Sequence, residues 1–280
     1  MSRPLPGLGA VCVVLLCAAN LSAQDEASSP TRAWRLAGLR RGFCIHLLLD
    51  PADPPAKAAG VRLLPAAEVS DLHPALRGVI QQQPEFVSWI PSSLCLYALD
   101  TVETASFRVV NKKGRDPILV GLWTAAATEG VSDPRRDFVI ELLTSHSRLR
   151  NQTQTTGPGF LPADVEAGLA VEKDKDGVAT EYDRFRLKVE KTTLTWDGPP
   201  GGDSTPVTER TATEWVTRRG RGLKGLLPGT LSFSPAWSRG MAGFLRIQGK
   251  DAFAKSLTAS PIRFVGPAWW GGEGELRLGR

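Results

Sequence analysis

Apolar and charged residues alternate most clearly between Tyr182 and Glu190. Arg184, Arg186, Lys188 and Glu190 fall on one face, and Phe185, Leu187 and Val189 on the other. A period of two places successive side chains on opposite sides of an extended chain, so this segment predicts a half-buried strand. The C-terminal residues Glu273 to Leu278 alternate in the same way. Shorter bulky or β-branched runs predict further strands at Arg41–Asp50, Val61–Leu64, Leu94–Leu99, Ser106–Asn111 and Ile118–Ala125. The series continues with Thr192–Trp196, Val207–Thr217, Thr230–Phe233, Phe244–Gln248 and Ile262–Val265. Phe138–Leu143 suits either strand or helix.

One helix is predicted in the first half, over His73–Gln83. Pro74 suits its first turn, Asp71 is placed to cap it, and Leu76, Val79 and Ile80 share a face. Ser147–Thr156 reads as a short helix or loop, and Asp251–Leu257 as a helical turn. The polar stretch Asn111–Pro117 predicts a hairpin loop, and Asp197–Asp203, rich in Gly and Pro, an exposed turn. Many short strands, frequent turns and no βα alternation predict a mainly β fold, an antiparallel β-barrel or sandwich with a few short helices. The reading is a single domain over residues 41–280, with a possible subdivision near 157–162, where Gly157-Pro158-Gly159 and Pro162 interrupt the pattern.

The N-terminus changes the compartment. Arg3 precedes an apolar run from Leu8 to Ala19, which gives way to Asn20-Leu21-Ser22-Ala23 and then to polar residues. That pattern predicts a secretory signal peptide over residues 1–23, too short to span a bilayer that needs about 20 apolar residues. Residues 24–40 are read as a flexible leader. Secreted or periplasmic localisation follows as an expectation, with no transmembrane segment after cleavage. Cys44 and Cys95 then remain in an oxidising compartment, each inside an apolar run that ends in an Asp. They are predicted to lie on neighbouring strands and to bond. The formal net charge of +5 is mild for 280 residues, so nucleic acid is not expected as a partner.

Motif chemistry is sparse. Glu172-Lys173-Asp174-Lys175-Asp176-Gly177 echoes a calcium loop, but Asp176-Gly177 between alternating segments predicts a hairpin instead, and no metal is expected. Gly220 to Gly225 matches a dinucleotide fingerprint in letters only, because Pro228 interrupts the helix that such a site needs; no cofactor is expected. Arg218, Arg219, Arg221 and Lys224 form the densest basic patch, a candidate contact for an anionic surface. Adjacent strand residues point to opposite faces, so Trp269 and Trp270 do not both fit one core and are candidate ligand contacts. Trp123 and His46, in apolar strand-like runs, complete the candidate ligand-binding set. No nucleophile elbow, phosphate loop or HExxH is present, and the dispersed lysines single out no Schiff-base candidate.

Three functions are compatible with this pattern. The first is an exported binding protein holding a small apolar or sugar-like ligand in its barrel or sandwich. The second is a small-molecule lyase or hydrolase on a decarboxylase-like β-barrel, an outline matched by architecture alone. The third is an envelope protein that uses its basic loop. A cavity with a desolvated Lys, Glu or His aimed inward favours the enzyme.

Overall fold

A computed structural model describes residues 32–54, 60–104, 108–110, 117–130, 133–153, 160–173, 175–177, 179–198, 200–218, 225–241 and 243–279. Its strands are β1 (Arg32–Leu49), β2 (Arg62–Leu63), β3 (Ile90–Glu103), β4 (Arg108–Val110), β5 (Ile118–Thr128), β6 (Arg136–Thr144), β7 (Phe160–Lys173), β8 (Ala179–Val189) and β9 (Thr192–Gly198). The second half continues with β10 (Pro200–Pro206), β11 (Thr211–Arg218), β12 (Leu226–Ser234), β13 (Trp237–Met241), β14 (Phe244–Gln248), β15 (Arg263–Val265), β16 (Ala268–Trp270) and β17 (Glu273–Leu278). Three short helices accompany them: α1 (Pro74–Gln82), α2 (Ser147–Thr153) and α3 (Ala252–Ala259).

Strand pairing closes on itself. β1 pairs with β3, β3 with β5, β5 with β6, β6 with β11, β11 with β12, β12 with β17, and β17 with β1. All of these contacts are antiparallel except β6 with β11. The circuit is a barrel, which leaves those strands without open edges. Its interior is filled by Trp34, Leu36, Tyr97, Val120, Val139, Trp215, Phe233 and Leu276, one or more from every strand of the circuit. The chain end from β15 to β17 runs back along one edge of β1 while β3 occupies the other, so β1 is paired along most of its length on both sides.

A second antiparallel sheet, β7–β8–β9–β14, packs on the outside of this wall. Phe185, Leu187, Val189, Leu194 and Trp196 meet Phe43, Ile45, Leu47, Leu94, Leu96 and Trp123 in a separate core. The alternation read from residues 182–190 is therefore real, and its apolar face is the one turned to the barrel. Cys44 and Cys95 are cross-strand partners in β1 and β3 and are disulfide-bonded.

Several expectations are corrected. The leader expected to extend through residue 40 is strand from Arg32 onward, because Trp34 and Leu36 are fully buried in the barrel. β4 and β5 do not form the expected hairpin; both pair with β3, at successive stretches of the same strand. The turn expected over Asp197–Asp203 includes strand β10, whose partner is β13; the proline at each of its ends suits a strand at a sheet margin. The cap of α1 is His73, whose Nδ1 accepts from the Ala75 amide at 3.3 Å, while Asp71 pairs elsewhere. The residues of the calcium-like motif that are described lie in the β7–β8 hairpin, with Gly177 at φ 79°.

The disulfide closes a loop of 51 residues. Replacing both cysteines by alanine is expected to lower stability by about 4 kcal/mol in the chain-entropy model. Urea unfolding of the oxidised protein and of the Cys44→Ala/Cys95→Ala variant measures the difference.

Candidate functional site

The β1–β3–β5 register builds the site. His46 lies opposite Ser93, Ser93 opposite Thr124, and Asp137 is the partner of Ala126, two residues along β5 from Thr124. Cross-strand partners share a face, so these four polar side chains form a row on the inner wall of the barrel. His46 and Ser93 sit one inward position beyond the disulfide. The polar row stands where the barrel's apolar filling ends, towards one mouth.

The segment between β2 and β3 covers that mouth. Leu64, Ala66, Val69, Leu72 and Leu76 pack with Leu48 and Ala126 of the barrel. β2 is tied to β5, and the Leu64 amide donates to the Ala126 carbonyl. Between cap and wall lies a cavity of about 310 Å³, lined among others by His46, Asp71, His73, Ser93, Arg135 and Asp137.

Within the cavity the polar groups are organised. His46 Nδ1 and Ser93 Oγ are 2.9 Å apart. The imidazoles of His46 and His73 stack at 4.1 Å between centroids and 20° between planes. His73 Nδ1 accepts the Ala75 amide, so the ring's proton sits on Nε2. Arg135 bonds to Asp71 on the cap and, at 3.2 Å, to Asp137 on the wall. Thr124 Oγ1 donates to Asp137 at 3.3 Å. Below the row, the Trp123 indole donates to Ser92, whose hydroxyl donates to the Thr124 carbonyl at 2.6 Å.

Burial sets the protonation states. It pushes His46 down to about 4, with the neighbouring His73 adding to the effect. Burial also lowers His73. The Asp137 carboxyl is held above its usual range, because burial outweighs the Arg135 charge and the bonds from Arg135 and Thr124. The site thus pairs a neutral imidazole with a carboxyl of raised proton affinity, the opposed shifts that acid–base chemistry uses. Among the described residues no lysine lines the cavity, and Lys175, Lys188, Lys191, Lys250 and Lys255 are exposed.

No family model matches the chain, and no curated protein sequence does. Solved structures offer distant likenesses. The enduracididine biosynthesis enzyme MppR, complexed with pyruvate, is 12% identical over 89% of this chain and 89% of its own, with a TM-score of 0.47. An acetoacetate decarboxylase from Legionella pneumophila is 11% identical over 88% and 86%, at 0.44. An acetoacetate decarboxylase-like enzyme from Sphingomonas wittichii RW1 is 10% identical over 89% and 90%, at 0.42.

Of the candidate ligand contacts read from the sequence, His46 alone is among the described residues that line the cavity. Trp123 is buried between the barrel and the outer sheet, edge-on to Phe253 at 5.3 Å. Trp269 packs against the barrel core from β16. The Trp270 ring is flanked by the guanidinium groups of Arg41 and Arg239, at 5.2 and 5.4 Å from its centroid. Arg218 ends β11, and Arg219, Arg221 and Lys224 lie outside the described residues, as does the predicted signal peptide. Sequence reasoning missed Ser93, Thr124, Arg135 and Asp137. The Ser92-Ser93 pair inside an otherwise apolar run was the available signal.

The depressed His46 has a consequence for stability. Unfolded, it takes up its proton near 6.5, and folded only near 4, so between these values the unfolded chain binds more protons. Its contribution is complete above about pH 6.5 and disappears as the pH falls towards 4, a loss of roughly 3 kcal/mol. Urea unfolding from pH 7.5 to 4 is expected to show this decline, and His46→Gln to flatten it.

Proposed function

We propose that the covered barrel mouth binds a small polar molecule and acts on it by proton transfer, as a hydrolase or lyase does. The observation that carries this reading is the inward row of His46, Ser93, Thr124 and Asp137 in one cavity. A neutral imidazole beside a hydroxyl can accept that hydroxyl's proton, or the proton of a water or substrate group in its place. Asp137, with its raised proton affinity, is suited to return a proton. The lack of a cavity lysine among the described residues speaks for acid–base rather than imine chemistry.

The cavity's charges narrow the ligand. Asp71 and Asp137 face one guanidinium, Arg135, and burial favours neutral imidazoles. This balance suits a neutral or cationic molecule better than a carboxylate, and a polar one better than a hydrocarbon. A sugar-like ligand that is bound without conversion is the second reading, favoured by the neutral hydrogen-bonding groups of Ser93, Thr124 and His73. We further propose that the protein works outside the cytoplasm, which agrees with the Cys44–Cys95 bond. No described helix is long and apolar enough to cross a membrane.

A ligand-observed NMR screen of polyols, esters, amines and carboxylates tests the site. Neutral or amine ligands are expected to bind the wild type and to lose at least about tenfold in affinity in Asp137→Asn or Ser93→Ala. Conversion of a bound compound, absent in His46→Gln, supports the enzyme, and unchanged recovery of every bound compound supports the carrier. Equal binding to wild type and both variants overturns the assignment of the site.

A further inference from the structure

The cap and the wall meet through two imidazoles. His73 comes from the cap, at the first turn of α1, and His46 from the inner face of β1. Their rings stack at 4.1 Å, so protonating both places two positive charges face to face. His73 has a second duty, because its Nδ1 caps α1 by accepting the Ala75 amide. A protonated imidazole has no acceptor, so the same proton that repels His46 also removes the cap.

We infer that the α1 segment is an acid-released cover of the cavity, held shut by the neutral His46–His73 stack and freed when these rings become charged. Other charged groups lie in the same cavity. Asp71, on the cap, Asp137, on β6, and Arg135, bonded to both, line the cavity with the two rings. Arg77 of α1 is bound to the Ser70 and Leu72 carbonyls within the cap. The apolar contact of Val69, Leu72 and Leu76 with Leu48 and Ala126 is independent of pH.

The direction follows from the environment of the rings. Burial holds both imidazoles below their ordinary value, His46 at about 4. An open cover gives His46 back to water and to a value near 6.5. Acid therefore favours the open form. With these two values for His46 alone, the open population rises about thirtyfold between pH 8 and pH 5.

Hydrogen exchange of the intact oxidised protein, corrected for the intrinsic pH dependence of amide exchange, reads the opening without reference to activity or ligand. Between pH 8 and pH 5, protection across residues 74–82 is expected to fall about thirtyfold. Protection in β9 and β14, which follows global unfolding, is expected to stay well above that of residues 74–82 at both pH values. In His46→Gln/His73→Asn, where asparagine keeps a capping oxygen and neither side chain titrates, the cover is expected to stay protected at pH 5. Unchanged protection of residues 74–82 in the wild type overturns the inference. So does an equal loss in the double variant, or protection of residues 74–82 equal to that of β9 and β14, which marks global unfolding. A cover that opens on a site that binds no small molecule leaves the gate standing and removes the proposed function.

Discussion

The pairing of β1 governs the rest of the molecule. This strand holds β3 on one edge and the returning β15–β17 chain end on the other, and it presents residues to two cores at once. Phe43, Ile45 and Leu47 face the outer sheet, while Trp34 and Leu36 fill the barrel. A slip of one residue would exchange these sets and turn the hydrogen-bonding side chains of the inner row into the dry contact between sheets. The Cys44–Cys95 bond fixes the register at one rung. Two residues further along the same face, that rung determines that His46 meets Ser93.

The site is a boundary between two kinds of interior. Below it the barrel is packed with leucine, valine and aromatic rings, and Tyr97 stacks on Phe233 at 5.1 Å. Above it the apolar cap closes over Leu48 and Ala126. Buried polar side chains between two such layers bond with each other, His46 with Ser93 and Thr124 with Asp137, while Arg135 joins both carboxylates at the exposed rim. The same burial explains the opposed shifts of His46 and Asp137, since it penalises the charged form of each. In the proposed reading, reactivity and closure therefore have one origin, the burial of these groups.

Sequence and structure agree best where one face of a strand is dry and the other wet. Tyr182–Glu190 and Glu273–Leu278 are legible for that reason, and the second was predicted to the residue. Agreement fails where local composition and tertiary contact pull apart. Pro200, Gly201 and Gly202 argue for a loop, yet β10 finds a partner in β13 across a long sequence separation. Asp71 has the chemistry of a helix cap, but Arg135 claims it and His73 takes its place. Trp269 and Trp270 do point apart, as adjacent strand residues must; what fills each side is decided by the barrel core and by two arginines.

By itself, the sequence determined the β-rich class, a helix read over His73–Gln83 and found over Pro74–Gln82, and the disulfide, because alternation, a proline in a first turn and matched strand contexts are local or nearly local properties. Only the tertiary structure decided that the strands close into a barrel, which depends on pairings between residues more than 200 positions apart, such as Trp34 with Leu276. It alone decided the site as well. His46, His73, Ser93, Thr124 and Asp137 come from five separate elements, and nothing in their spacing marks them as neighbours. They become a site because strand register and one covering segment bring them into the same small volume.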